Sequence, residues 1–367
     1  MTTIVIDCKN FSLYSGGIAS FFKPILSQVI SRFNNIKFIL VAPCEFNTDF
    51  INNSKNWECV SVPYPKVGNS TLKILLYDMF IYPKALKDIN ADYLLSPYYD
   101  FLLPKNYRGR SIITVHDTCY WDLPHIYPAK LRWYYHILLK INLKRTFKLI
   151  TVSESSLTSI CEIFGEHLRS RASIVYNCFE PNLEKHECYF STGSNTKKIL
   201  YTGGYESRKN IDFMFEVLSN LRREVPVELY FTGNFEGSKE LNSLVAKYNL
   251  SDVIKFTGLL TTEELSKHYS SCDLVLNLSL CEGFGRSNLE AVQYNKPLVC
   301  SDIPVFRELV EDYAIYCDPA SVESALHAIK LAFKSKPSND NFDFGRFSLS
   351  KNVNTIAKLM EKMLDEK

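Results

Sequence analysis

This chain of 367 residues is defined first by what it lacks. No apolar run approaches the roughly 20 residues that a membrane-spanning helix requires. The N-terminus enters TIVIDCKN, a strand-like run, where a signal peptide would show a basic and then an apolar region. The cysteines number 11, an odd count, and no two are spaced C-x-x-C. They are scattered singly, several inside apolar runs such as PLVCSD around Cys300, and are expected as free, buried thiols of a reducing compartment. These features point to a cytoplasmic protein. A strong excess of one charge is also missing: 42 Lys and Arg face 40 Asp and Glu, a net charge of +2. A nucleic-acid partner is not expected from that balance. No Walker A lysine loop, H-E-x-x-H or G-x-S-x-G occurs, and no Asp-x-Asp is present to clamp a nucleotide-bound metal. No metal and no cofactor are therefore expected.

The composition, 46% hydrophobic and 22% charged, is that of a soluble globular protein, and the length suggests two domains. Charge is uneven along the chain. Residues 1–190 carry 21 basic and 16 acidic side chains, a surplus of five, and the remainder carries 21 and 24, a deficit of three. The first half is the one expected to meet an anionic surface.

Short apolar runs rich in β-branched residues alternate with helical patterns. The first series is Thr3–Ile6, Lys37–Val41, Glu58–Val62, Tyr93–Leu95, Ser111–Val115 and Leu149–Val152. The second is Lys198–Tyr201, Val227–Phe231, Val253–Phe256, Leu274–Leu276 and Pro297–Val299. Nearly continuous apolar strands between helices indicate parallel sheets covered on both faces, an α/β class. The polar segment 181–197 separates the two series. Two doubly wound, Rossmann-like domains follow, at about residues 1–190 and 191–348. An amphipathic helix from about 349 to the end, with Val353, Ile356, Ala357, Met360 and Leu364 at helical spacing, can pack back on the first domain.

In such folds ligands bind beyond the carboxyl ends of the strands, so motifs are read there. After the first strand, Gly16 and Gly17 precede a helical run, which suits close backbone approach and an anion at the helix start. The alternative is an ordinary strand-to-helix loop. His116 and Asp117 directly follow a strand, where a histidine can exchange a proton; a structural histidine is the plainer reading. In LYTGGYESRKNID, Gly203 and Gly204 follow a strand, and Arg208 and Lys209 precede Asn210, a good helix cap. Two cations at a helix mouth can hold a pyrophosphate, although a lone Arg-Lys is more often a solvated pair. In SLCEGFGRSNLEAV, Glu282 and Glu290 stand eight apart around Gly283-Phe284-Gly285. The amides of Arg286 to Leu289 should be orphan donors at the start of the next helix. A carboxylate such as Glu290 can hold a ribose diol. As a mere helix-end acid, Glu290 would be worth about 0.3–1 kcal/mol. That reading leaves Glu282 and the glycines unexplained.

In order, these stretches resemble the motifs of the retaining glycosyltransferases of family 4, whose fold is GT-B. CEGFGRSNLEAVQYNKPLV is similar to the family's E-x7-E signature, YSGGIASF to its N-terminal glycine loop and TVHD to its strand-end histidine. VSESS at 152–156 and YTGGYESRKNID at 201–212 also match, and FTG at 231–233 and 256–258 resembles its strand-end turns. The chain departs from the pattern at Asn177-Cys178, where the family often has Asn-Gly, and at Ser287, where it often has proline. The resemblance implies two Rossmann-like domains facing a central cleft. It implies a nucleotide-diphosphate sugar as donor and a retaining, metal-independent transfer. Arg208 and Lys209 would neutralise the diphosphate, Glu290 would bind the ribose, and Glu282 would face the sugar. Backbone at Gly204, Gly233, Gly283, Phe284, Gly285, Ser287, Asn288 and Leu289 would line the donor. Gly16 and Gly17 would approach the diphosphate, and His116 would contact sugar or acceptor. By the same resemblance, GDP-mannose is the first expectation and a UDP-sugar the second. A sucrose- or trehalose-type synthase or phosphorylase, or an inactive binding subunit, are the alternatives.

Residues 129–148, AKLRWYYHILLKINLKRTFK, hold six Lys or Arg and no acid, interleaved with Trp133, Tyr134, Tyr135 and Ile137. A basic aromatic helix reads as a membrane-surface element, or as a packed helix with a basic outer face. On the first reading the acceptor is a glycan carried on a polyprenyl lipid, as in O-antigen or capsule assembly. The protein would then sit peripherally at the cytosolic face of the inner membrane.

Overall fold

A computed structural model describes residues 1–11, 17–51, 54–177, 195–233, 235 and 238–365. The chain divides into two compact units: Met1–Glu180 with Phe344–Lys367, and Pro181–Asp343. The expected linker, 181–197, and Gly16 lie almost wholly or wholly outside the described residues.

The first unit is built on β1 (Thr2–Asp7), β2 (Ile36–Ala42), β3 (Trp57–Ser61), β4 (Tyr93–Ser96), β5 (Ser111–Val115), β6 (Lys148–Thr151) and β7 (Ala172–Ile174). All neighbours pair in parallel, in the order β3-β2-β1-β4-β5-β6-β7. The order reverses between β1 and β4, so this is the unit's topological switch point. The central strands β4 and β5 are buried along their whole length, because helices cover both faces. One face packs Val5, Val41 and Leu94 against Tyr77, Tyr82 and Leu86. The other packs Ile113, Val115 and Leu149 against Leu139, Leu143, Leu157 and Ile160.

Just past β1, Lys9 is 5% exposed, with Nζ at 2.6 Å from Asp78 Oδ1 and 2.8 Å from Asp100 Oδ1. Asp78 is carried there by a π-helical turn, Tyr77–Ile81, inside the helical stretch 70–89. Asp7 beside it accepts from the Tyr82 hydroxyl at 2.6 Å and the Ser96 hydroxyl at 2.7 Å. These buried ions hold the ends of β1 and β4 in place.

The C-terminal helix, Leu349–Asp365, belongs to this unit. Its buried stripe is Val353, Ile356, Ala357, Leu359, Met360 and Met363, so Met363 and not Leu364 completes the expected face. Arg32, which ends the helix Gly17–Arg32, donates to Asn354 Oδ1 at 2.8 Å, and Asn352 donates to the Tyr176 carbonyl at 2.6 Å.

The second unit holds β8 (Lys197–Thr202), β9 (Val227–Thr232), β10 (Ile254–Gly258), β11 (Leu274–Asn277), β12 (Leu298–Ser301) and β13 (Ile315–Cys317). All pair in parallel, in the order β10-β9-β8-β11-β12-β13. The switch point lies between β8 and β11. Its core packs Ile199, Leu229, Phe231 and Leu276 against Met214, Phe215, Leu218 and Ile329.

Two edge strands, β7 and β13, were not expected from the sequence. Each has three residues, too few for a periodic pattern. The expectation of free, buried thiols is also corrected. Cys8, Cys161, Cys272, Cys300 and Cys317 are free and buried, but Cys59 is free and exposed, and Cys44 is intermediate. Cys119 and Cys281 are not among the free thiols. Among the described residues no helix is long and apolar enough to cross a membrane.

Candidate functional site

The switch point of the second unit gathers the residues singled out in its half of the sequence. β8 ends at Thr202, and the chain bends through Gly203 and Gly204 into a single 3-10 turn, Ser207–Lys209. β11 ends at Asn277, and the chain passes Ser279 and Glu282 before the helix Arg286–Gln293. The two loops meet through one carboxylate. Glu282 Oε2 accepts from Arg208 Nη1 and Oε1 from Lys209 Nζ, each at 2.5 Å, and the Ser279 hydroxyl donates to Oε1 at 2.9 Å. The Leu280 amide also bonds the Arg208 carbonyl at 2.8 Å.

The Glu282 side chain is only 8% exposed. Burial alone would raise its pKa, but the charges and hydrogen bonds of Lys209 and Arg208 outweigh that and hold it at about 2. It is an anion at neutral pH. An ammonium has three donors and a guanidinium five, so one carboxylate does not exhaust this pair. Arg208 also reaches Glu206 Oε2 at 2.8 Å and the Cys281 carbonyl at 3.2 Å.

Glu290 is held separately. Its Oε2 accepts from the Tyr269 hydroxyl at 2.6 Å, and that hydroxyl also lies 3.0 Å from Thr202 Oγ1 at the end of β8. Tyr269, on the helix Thr262–Ser271, is fully buried and stacks on Tyr294 at 5.2 Å. Glu290 is the fifth residue of its helix, and no acid lies in the first turn. Its position is therefore not that of a carboxylate serving the helix dipole.

Between the two glutamates runs a polar relay. Asn277 donates to Asn288 Oδ1 at 2.9 Å and to Ser287 Oγ at 3.2 Å, and its Oδ1 lies 2.8 Å from the Ser279 hydroxyl oxygen. Asn288 is fully buried, and its amide nitrogen Nδ2 has no partner among the described residues. Leu289 and Phe284 are buried. Gly285 requires glycine: φ is +118°, and a Cβ there would lie 2.7 Å from the Phe306 ring. Gly283 lies in the same bend, buried. The Asn288 backbone amide bonds the Gly285 carbonyl at 3.0 Å, so it is not the orphan donor expected of it. Asn210 likewise does not cap its helix. It sits in the left-handed region at φ +58° and spends its side chain on the Pro319 carbonyl at 3.0 Å.

Gly204 accepts through its carbonyl from the Tyr201 hydroxyl at 2.9 Å, which fixes the bend after β8. Gly233 is beside it in the fold: a Cβ there would lie 3.0 Å from the Gly203 carbonyl oxygen. It also lines a cavity of about 400 Å³ with Phe235, Phe256 and Gly258, at the carboxyl ends of β9 and β10.

In the first unit, His116 follows β5. Its Nε2 lies 2.7 Å from the Pro97 carbonyl, and its ring meets Phe21 edge-on at 5.4 Å. Burial lowers its pKa, partly opposed by the Pro97 carbonyl and Asp117. A neutral ring with Nε2–H donated to Pro97 presents only Nδ1, an acceptor. His116 is thus placed to receive a hydrogen bond rather than to supply a proton. Gly17 begins the helix Gly17–Arg32, and a Cβ there would meet nothing within 4 Å.

Sequence reading missed Tyr269, Thr202, Asn277 and Ser279. Asn277 and Ser279 sit beside the motif at a strand end and could have been suspected. Tyr269 lies 21 residues before Glu290 in an unremarked helix, and only the fold joins them. Among the described residues no group of three or more His, Cys, Asp or Glu is placed to hold a metal ion.

Comparison with known proteins bears on this geometry. Residues 190–346 match the family described as glycosyl transferases group 1. The chain is 26% identical over 269 residues to the O-antigen chain mannosyltransferase RfbU of Salmonella typhimurium, covering 71% of each chain. It is 25% identical over 240 residues to the O-antigen chain mannosyltransferase B of Escherichia coli, covering 61% of each, less than two thirds of that relative. The Anabaena Alr3699/HepE structure in complex with UDP and glucose superposes with a TM-score of 0.70 at 16% identity, over 99% of this chain and 100% of that one.

Proposed function

We propose, from the premise that the chain carries a group 1 glycosyl transferase domain on a GT-B fold and is a transferase enzyme, that it moves a sugar from a nucleotide-diphosphate donor to a glycan acceptor. The observation that carries this reading is the Arg208–Glu282–Lys209 cluster at the switch point of the second unit. There, two cations sit where an open α/β sheet binds its ligand. A leaving diphosphate needs its growing charge neutralised, and preorganised cations supply that without a metal ion. Arg208 and Lys209 take this role. Glu290, aimed by Tyr269, takes the ribose hydroxyls. Glu282, fixed as an anion, faces the sugar ring, where developing positive charge at the anomeric carbon is favoured. His116 accepts from a hydroxyl of sugar or acceptor through Nδ1. Transfer is retaining.

Likeness to two O-antigen mannosyltransferases supports GDP-mannose as donor and an acceptor of cell-surface polysaccharide assembly. The basic, aromatic helix Ala129–Arg145 supports an acceptor carried on lipid at the cytosolic face of the inner membrane.

The test is transfer from GDP-mannose and from UDP-sugars to a polyprenyl-linked oligosaccharide, with and without chelator. Full activity in EDTA is expected, along with loss of transfer in Glu282→Gln and Lys209→Ala. Unchanged transfer in both variants contradicts the site, and restoration by Mg2+ after chelation contradicts metal independence. Preference for UDP-sugars corrects the donor and leaves the site standing.

A further inference from the structure

The switch point of the first unit carries more negative charge than its fold needs. Asp7, Asp78 and Asp100 gather there around one cation, Lys9. Asp7 is fully buried and is satisfied by three donors: the Tyr82 hydroxyl, the Ser96 hydroxyl and the Lys9 backbone amide, the last at 3.0 Å. Asp78 takes the Lys9 ammonium. One carboxylate balances that ammonium, so Asp100 is in excess. An uncompensated carboxylate at a buried cluster destabilises a fold, and Asp100 is better explained by what it can meet than by what it holds.

Its position points the same way. Asp100 lies on the loop leaving β4, at the carboxyl end of the sheet and beside the reversal of strand order, where open α/β sheets take their ligands. The side chain is 15% exposed. Its Oδ1 lies 2.8 Å from Lys9 Nζ, and its Oδ2 has neither a hydrogen bond nor an ion pair among the described residues. A carboxylate anchored by one oxygen on a buried ammonium keeps the other oxygen fixed and ready for a donor.

Two phenols share this field. The Tyr134 hydroxyl is buried and has no hydrogen-bond partner among the described residues. Burial, with Asp78 and Asp100 adding to it and Lys9 opposing, pushes its pKa up to about 12, so it keeps its proton and is a donor without an acceptor. An unmade bond of this kind is a cost that a ligand removes. Tyr64, 37% exposed, packs on Tyr77 with ring centroids 4.2 Å apart. Burial raises the pKa of its hydroxyl, Lys9 lowers it, and Asp78 and Asp100 raise it, so this phenol borders the same ions. Asp78 itself rides on the π-helical turn Tyr77–Ile81, and such turns concentrate at functional sites.

The set selects a chemistry. The open carboxylate oxygen accepts, the unpartnered phenol donates, and the rings offer faces to C–H groups. A neutral sugar supplies hydroxyls for both and C–H for the rings. An anionic ligand, whether a phosphate or a uronate, meets surplus negative charge and is repelled. A cationic ligand would face the Lys9 ammonium, already 2.8 Å from Asp100 Oδ1.

We propose that Asp100 and Tyr134 form a subsite for a neutral sugar, with Asp100 Oδ2 accepting from one ring hydroxyl and the Tyr134 hydroxyl donating to another. Tyr64 flanks the ring, and the subsite selects the acceptor of the transfer against anionic sugars. The proposal rests on the glycosyltransferase reading only in naming that sugar an acceptor, since its binding is measured without donor or transfer.

The experiment is saturation-transfer NMR on the full chain with methyl mannoside, methyl N-acetylglucosaminide and methyl glucuronide, each at millimolar concentration. Saturation of at least one neutral glycoside, and none of the glucuronide, is expected. Asp100→Ala should weaken binding of that glycoside at least about tenfold, and Tyr134→Phe about fivefold. Tyr134→Phe removes a hydroxyl with no partner among the described residues, so a purely structural role predicts unchanged binding. Equal binding by Tyr134→Phe and wild type therefore overturns the proposal. So does saturation of the glucuronide as strong as that of the neutral sugars, and so does displacement of the glycoside by excess GDP or UDP, which would put it in the second unit. Nucleoside diphosphate binding by both variants, equal to wild type, shows that they are folded. Nucleotide binding with no saturation of any neutral glycoside sinks the subsite alone. If wild type binds neither GDP nor UDP yet binds the glycoside as described, the donor reading fails and the subsite stands; circular dichroism then reports the fold.

Discussion

At the scale of single residues, Glu282 carries the most consequence. Its carboxylate sits on both cations, so on the proposed reading Glu282 stands where part of a diphosphate's charge would act. Removing that anion without changing its shape should free the cations. Glu282→Gln is expected to bind a nucleoside diphosphate at least as tightly as wild type while transferring no sugar, a split that titration calorimetry and a transfer assay resolve. Its acid behaviour follows from the same contacts. The folded carboxyl titrates near 2 and an unfolded glutamate near 4.5, so between these values the unfolded chain binds more protons. The stabilisation is complete above pH 4.5 and is lost as pH falls toward 2, to a limit of about 3 kcal/mol at about 1.4 kcal/mol per pH unit. Urea unfolding at stepped pH should show that added acid sensitivity in wild type and not in Glu282→Gln. Tyr269 is a positioning residue on this account. Tyr269→Phe removes a charge-assisted bond to Glu290 and should raise the donor KM about tenfold, at about 1.4 kcal/mol, with kcat nearly kept. A fall in kcat at unchanged KM would mean that Glu290 does not act in donor binding.

At the scale of elements, loops and strand ends place the chemistry, and this is where sequence and structure can be compared. The long helices and the central strands were legible because their apolar spacing runs for several residues. The Ile-Val-Ile of β1 and the Leu-Val-Leu of β11 announce buried parallel strands. The three-residue edge strands β7 and β13 carry no such signal. The charged site residues were legible because they cluster after strands, but their partners were not. Nothing local indicates that Lys209 meets Glu282 across 73 residues, or that Tyr269 reaches Glu290. Lys9 is the clearest case. A lysine two residues past a strand reads as solvated, yet its ammonium is buried between Asp100 and Asp78, the latter carried by a π-helical turn that no periodicity reveals. Lys9→Ala leaves those carboxylates without a cation and should destabilise the first unit by about 3–5 kcal/mol. Lys9→Ala with Asp78→Asn and Asp100→Asn should recover much of that loss, and failure to recover would show that the ions do not act as a unit.

At the scale of the whole molecule, the same sheet order appears twice, and each unit gathers its unusual polar residues at the point where that order reverses. In the second unit they are cations and carboxylates partly open to solvent, suited to a charged ligand. In the first they are buried ions that fix the fold, with His116 on the next strand. On the proposed account the second unit carries the diphosphate chemistry, while the first half of the sequence carries the positive surplus. The central claim is that the second unit binds a nucleotide diphosphate through Arg208 and Lys209. Calorimetric titration of the full chain with GDP and with UDP, wild type beside Lys209→Ala, tests it most directly. Saturable binding of at least one of them by wild type is predicted, weakened at least about a hundredfold in Lys209→Ala, which corresponds to about 2.7 kcal/mol. Binding of equal strength in both proteins, or no binding of either nucleotide by folded wild type, would contradict it.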